Sequence, residues 1–167
     1  MIEQLLAKVP EGNRIEFGVF RGGTLWKIAA HPGVTVGVDT FTGMPEPGEH
    51  DLIDGESPYP KGRLRATLET VQRRVPKARL VQGVVPAILP SIKLRRFGFV
   101  HVDLDHYAST LAAMFWSWER MATGGVMAVH DWLPQRNCLA SRAIKEFAIE
   151  LDRQPKQFYQ WGWWQRP

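Results

Sequence analysis

The segment Glu16-Phe17-Gly18-Val19-Phe20-Arg21-Gly22-Gly23-Thr24, followed by Gly37-Val38-Asp39, constrains this chain more than any other. An apolar strand enters a glycine-spaced turn, a helix follows, and a second strand ends on a carboxylate. Such a βαβ unit binds the nucleoside half of a cofactor at the carboxyl edge of a parallel sheet. The glycines let the backbone approach a ligand closely, and Asp39 is placed to accept hydrogen bonds from ribose hydroxyls.

The spacing discriminates between nucleosides. A dinucleotide site needs G-x-G-x-x-G with a helix N-terminus free to face a pyrophosphate. Here three residues separate Gly18 from Gly22-Gly23, and Glu16 stands two positions before Gly18. A carboxylate at that place repels a pyrophosphate and suits a cationic ligand. S-adenosylmethionine carries an ammonium and a sulfonium, so the pattern favours it over NAD. The same glycines also suffice to shape a strand-to-helix turn with no ligand.

The chain has 167 residues, 44% of them hydrophobic, which fits a single domain over 1–167. One cysteine, Cys138, rules out an internal disulfide framework and reads as a packing residue. Met1 to Leu6 is too short and too acidic for a secretory signal, and no apolar run reaches bilayer length. A soluble, cytoplasmic protein is expected. Net charge is +4 but uneven: the charged residues from Asp39 to Glu56 are all acidic, and those from Lys61 to Arg96 are basic except Glu69. The basic block is either a solvated face or the footprint of an anionic partner.

Hydrophobic periodicity predicts a short helix at Ile2, Leu5 and Leu6, then strands over 14–19, 34–38, 78–81, 97–102 and 126–129. Helices are predicted over 24–30, along Leu64, Leu68, Val71 and Val75, along Tyr107, Leu111, Phe115 and Trp118, and over 143–151, with a short helical turn at 86–89. The aromatic tail from Phe158 to Gln165 predicts one or two edge strands. Proline, glycine and acid dominate 42–62, which reads as a long loop and candidate lid. The expected fold is α/β: a Rossmann-like, doubly wound, mostly parallel sheet of about seven strands flanked by helices.

In such a sheet, ligands bind outside the carboxyl ends of the strands. Those ends collect Glu16, Asp39, Asp103, His130 and Asp131, with Asp105 close by. Asp103, His130 and Asp131 suit a divalent cation with open positions, which would lower the pKa of a substrate hydroxyl. Without metal, His130 or Asp103 serves as a general base. Alternatively Asp103 caps the following helix and His130-Asp131 shape a turn. His101 and His106 read as structural histidines. No nucleophile elbow accompanies Ser109 or Thr110, which argues against a hydrolase.

Four segments together carry a family resemblance: 16–24; Val38 to Pro47, with D-T-F-T-G-M-P-E-P; Val100 to Thr110, with D-L-D-x-Y-x-S-T; and Gly124 to Trp132. They resemble the TylF-type (macrocin O-methyltransferase) family of class I, S-adenosylmethionine-dependent enzymes. That family methylates hydroxyls, commonly on sugars of natural products, with a divalent metal, usually magnesium. The resemblance implies a class I methyltransferase fold and cofactor binding by Glu16, Gly18, Val19, Phe20, Arg21, Gly22 and Thr24. It further implies that Asp39, Thr40 and Phe41 lie at the ribose, and Gln82 and Gly83 near the adenine. Asp103 matches the family's first metal ligand and base, and also borders the cofactor. His130 and Asp131 fall where the family carries two aspartates and then a tyrosine, so His130 replaces an acid, which either weakens magnesium binding or favours a more nitrogen-seeking metal. Magnesium is the expected cation, with manganese or another metal as the alternative.

The leading expectation is therefore an O-methyltransferase acting on a small-molecule hydroxyl, with catalytic Asp103 and His130 and a metal at Asp103, His130 and Asp131. Two other readings stay open: a nucleic-acid methyltransferase using 61–96, and a non-catalytic cofactor-binding scaffold. Seven tryptophans either line a sugar or aromatic pocket or bury a homo-oligomer interface.

Overall fold

The computed structural model describes residues 1–137 and 139–167, so Cys138 lies outside the described residues. Helix α1 (Ile2–Leu6) leads into strand β1 (Asn13–Phe17), helix α2 (Gly23–Ala29) and strand β2 (Thr35–Asp39). After the long loop come α3 (Leu68–Arg74), β3 (Arg79–Gln82), β4 (Phe97–Val102), α4 (Tyr107–Trp118), β5 (Met121–Val129) and α5 (Leu139–Glu150). A hairpin of β6 (Lys156–Phe158) and β7 (Trp161–Gln165) ends the chain. The seven strands form one sheet in the order β3-β2-β1-β4-β5-β7-β6. Strands β1 to β5 pair in parallel, while β7 runs antiparallel to β5 and to β6. The expected doubly wound sheet is what forms, and its strand order reverses at β1.

Side-chain alternation splits the core between the two sheet faces. Phe17, Val100 and Val102 face the α4–α5 side, where they join Met114, Ile144 and Phe147. Phe99 and Ala128 face the other side with Ile2, Leu6 and Ile28 of α1 and α2. No helix is long and apolar enough to cross a membrane among the described residues.

Several elements differ locally from the periodicity. The inward face of α4 is Ser109, Thr110, Ala113, Met114 and Ser117. The larger stripe turns toward α5 instead, where Phe115 and Trp118 meet Phe147 edge-on. Helix α3 starts only at Leu68, because the Thr67 hydroxyl accepts a hydrogen bond from Thr70 N at 3.3 Å and caps it there. Strand β5 begins at Met121 and contains Gly124-Gly125, which the pattern assigned to the stop after α4. The tail does form two strands, but only β6 is an edge; β7 pairs on both sides and buries Trp164.

The 42–62 loop is clasped at both ends. Met44 N donates to Arg63 O at 2.7 Å and Gly62 N to Met44 O at 2.9 Å. Its tip, a 3₁₀ turn over Glu49–Asp51, docks on α4: buried Asp51 accepts from Tyr107 N at 2.7 Å and from Gly48 N at 2.9 Å. His106, the residue before α4, offers no side-chain cap of its own. Asp51 supplies one from 56 residues away. His106 Nε2 in turn donates to Tyr59 O at 3.0 Å.

Candidate active site

The parallel ladder continues one residue past each strand, through Gly18 N to Val38 O, Asp103 N to Phe17 O and His130 N to Val102 O, each 2.9–3.0 Å. It thereby brings Gly18, Asp39, Asp103 and His130 to one edge, at the strand-order reversal. There they border a cavity of about 440 Å³, within the range of small-molecule sites. Gly18 has φ +84°, and a Cβ there would collide with Asp103 O, so only glycine lets β1 turn so near the end of β4.

At one end of the cavity, Asp39 organises the turn after β1. Its Oδ2 accepts from Val19 N at 2.8 Å and Phe20 N at 2.9 Å, and its Oδ1 from Phe41 N at 2.9 Å. Phe20, Thr40 and Gly83 also line the cavity. Other residues expected at the cofactor stand outside its walls. Phe41 and Val19 are buried with Val71 between α2 and α3. Exposed Arg21 lies over the Phe20 ring at 5.0 Å, Gly22 caps α2 in a left-handed conformation, and Thr24 lies within α2. Gln82 ties β3 to β2 by donating to Thr40 O at 2.9 Å.

Glu16 departs most from the expectation. It is 1% exposed, on the α1–α2 face, with Oε1 2.8 Å from His101 Nδ1. Burial, only partly offset by His101, pushes its carboxyl up to about 7.

At the other end, His130 Nδ1 lies 3.3 Å from Asp103 Oδ1 and 3.1 Å from Asp131 Oδ1. Burial disfavours charge on the imidazole, but hydrogen bonds to both aspartates and their charges outweigh it, holding His130 protonated up to about 10. Asp131 is lowered: burial would raise it, but the His130 hydrogen bond and charge prevail. Asp105, beside them, is pushed up to about 8 by burial and by the charges of Asp103 and Asp131. Tyr59 reaches in from the long loop beside Asp105; burial, then the charges of Asp105 and Asp131, drive its phenol up to about 12. Asp103 makes no capping bond to α4 among the described residues, so it is free for other work.

The donors also fit a cation. Octahedral bonds of about 2.0–2.1 Å place neighbouring ligand atoms about 3 Å apart. The three donor atoms of Asp103, His130 and Asp131 lie within 4.8 Å of one another.

Tyr59 and Gln160 line the cavity and did not emerge from the sequence. Tyr59 carried a faint signal, an aromatic residue between Pro58 and Pro60; Gln160 carried none. No tryptophan lines the cavity among the described residues. Trp118, Trp132 and Trp164 are core residues, and Trp26 is exposed.

With this geometry, residues 1–155 match the macrocin-O-methyltransferase (TylF) family. The chain belongs to that family. This TylF-family chain is 28% identical over 148 residues to the 8-demethyl-8-(2,3-dimethoxy-alpha-L-rhamnosyl)-tetracenomycin-C 4'-O-methyltransferase of Streptomyces olivaceus, a match covering 78% of the chain and 57% of that enzyme. It thus spans little more than half the length of that curated relative. Its fold is similar to that of the O-methyltransferase NovP, with a TM-score of 0.82 at 21% identity, over 99% of this chain and 77% of that one. It is also similar to the calicheamicin methyltransferase CalS11, with a TM-score of 0.76 at 22% identity, over 98% and 75% of the two chains.

Proposed function

We propose that this TylF-family chain is an S-adenosylmethionine-dependent O-methyltransferase acting on a hydroxyl of a small glycosylated molecule, with a divalent cation at Asp103, His130 and Asp131. One observation carries the reading: the Asp103–His130–Asp131 cluster stands at the wall of the same cavity that Gly18 and Asp39 border. The sugar as acceptor is taken from the rhamnosyl group named for the Streptomyces relative.

When bound, S-adenosylmethionine supplies an electrophilic methyl group and the cation a Lewis acid that acidifies the hydroxyl. The chain's own residues do the rest. Asp39 fixes the backbone of the turn that would hold the nucleoside. With Oδ2 accepting twice and Oδ1 once from backbone amides, and the Thr40 hydroxyl donating to Gly43 O, one Oδ1 lone pair is left for a ribose hydroxyl. Asp103 orients the acceptor hydroxyl and takes its proton. Asp105, pushed up to about 8 by burial and its acidic neighbours, stays protonated at neutral pH, while Asp131, lowered by His130, stays charged. Gly43, Met44 and Tyr59 roof the cavity and exclude water, and the loop opens to admit ligand. The mixed oxygen and nitrogen donor set suits manganese, iron or zinc better than magnesium. A cytoplasmic location and a homo-oligomeric assembly complete the proposal.

A metal-free variant of the reaction is favoured by the charge on His130. An imidazolium between two aspartates already offers a cation beside the acceptor, though a group protonated up to about 10 makes a poor general base. The two variants separate in one experiment. Rhamnosylated small molecules are incubated with S-adenosylmethionine and scored by mass spectrometry for a gained methyl group, with and without chelator and manganese. Activity abolished by chelator and restored by manganese supports the metal-assisted reading; activity indifferent to both supports the metal-free one. Cofactor binding without transfer to any hydroxyl acceptor counts against both.

A further inference from the structure

His130 is gripped on the side away from the aspartates by a turn that the proposed chemistry does not use. Its Nε2 lies 2.8 Å from the side-chain amide nitrogen of Gln160. The Trp161 ring meets the imidazole edge-on, 4.6 Å between centroids at 72°. Trp161 also stacks on His101, at 5.2 Å and 22°, which is itself locked to Glu16 in a buried pair. The turn is pinned from both ends: Trp132 N donates to Gln160 O at 2.9 Å, and β7 pairs with β5 at Val129 and Gly162. A hairpin from the end of the chain thus closes on a residue at the end of β5, and Gln160 reaches the cavity wall.

We propose that Gln160 is a positioning residue for His130, with Trp161 as its support. The partner of one ring nitrogen decides how the other is presented, and it sets the ring's orientation. With Nε2 occupied by Gln160, Nδ1 faces Asp103 and Asp131. The amide is suited to this because its oxygen end can turn to the ring as an acceptor. Beside the imidazolium, which carries a proton on each nitrogen, it accepts from Nε2–H while Nδ1–H faces the aspartates. When Nδ1 is deprotonated it still accepts from Nε2–H, and the Nδ1 lone pair points into the space between the two carboxylates. Gln160 therefore holds the same ring pose for a hydrogen-bonded His130 and for a cation-binding one. Trp161 blocks rotation of the ring out of that pose, and the His101–Glu16 pair fixes Trp161. The inference deepens the metal-assisted reading and rests on it for the cation-binding pose alone.

The test uses the full chain with Gln160→Leu and Gln160→Glu. Two readouts are taken: imidazole ¹H–¹⁵N spectra of the metal-free protein, and calorimetric titration with Mn²⁺ alone. Gln160→Leu is expected to displace the His130 resonances while leaving the backbone amide spectrum elsewhere unchanged. It is also expected to weaken Mn²⁺ binding about 10–100-fold, as loss of a ligand's hydrogen-bond partner does. Gln160→Glu keeps an acceptor for Nε2–H and is expected to retain Mn²⁺ binding. Unchanged His130 resonances in Gln160→Leu overturn the proposal, as does equal loss of Mn²⁺ affinity in both variants. If the wild-type chain binds no Mn²⁺, the metal reading fails by itself. The metal-free spectra then still decide: displaced resonances support Gln160 as the positioning residue, and unchanged ones overturn it.

Discussion

Glu16 and His101 sit opposite each other on β1 and β4 and form a fully buried pair, Oε1 to Nδ1 at 2.8 Å. The second carboxylate oxygen of Glu16 has no hydrogen-bond partner among the described residues. The pH dependence of stability follows. Glu16 is raised from its ordinary 4.5 to about 7, so the folded state holds this proton more tightly than the unfolded one. Its contribution is fully present below 4.5 and is lost as pH rises through about 7. Glu16→Gln removes that loss. Its melting temperature is expected to exceed wild type by several degrees at about pH 8 and to converge with it at about pH 5. Thermal unfolding across that range checks it.

Metal affinity should rise with pH. A cation must displace the proton that Asp103 and Asp131 hold on His130 up to about 10, against the effect of burial. Mn²⁺ affinity is therefore expected to climb about tenfold per pH unit through the neutral range. In His130→Ala that slope should flatten while the affinity falls. Calorimetry at several pH values reads both.

Asp103 is the residue assigned to the acceptor proton. Asp103→Asn is expected to lower kcat about 10²–10⁴-fold with little change in cofactor affinity. A matching loss in cofactor binding would mean that Asp103 acts on the nucleoside side instead.

A buried carboxylate is one of the tethers that hold the tip of the loop on α4. Asp51→Ala removes the acceptor for Tyr107 N and Gly48 N and is expected to cost about 1.5–3 kcal/mol. It should also expose 42–62 to protease, which denaturant unfolding and limited proteolysis would show together. Wild-type cleavage that does not change on adding S-adenosylmethionine would argue against a loop that moves with the ligand.

Much of this was legible because parallel sheets write themselves plainly. Strand β4 starts and stops at the expected residues, since six buried positions in a row leave no ambiguity. Once β4 and β5 are known to be parallel neighbours, Asp103 and His130 must lie side by side. The setting of Glu16 was hidden for a reason of pleat. It shares its face with His101 rather than projecting from the edge, and the glycine motif conceals this. Asp51, Tyr59 and Gln160 were out of reach because loops bring them in from distant sequence. Asp51 caps a helix across 56 residues, and no local pattern announces such a bond.

The most direct test of the central claim is calorimetric titration of S-adenosylmethionine into the metal-stripped chain, repeated with magnesium and with manganese. Binding at one site per chain is expected, with a further heat on adding metal that is larger for manganese and absent in Asp103→Asn. Absence of cofactor binding under every condition would contradict that claim.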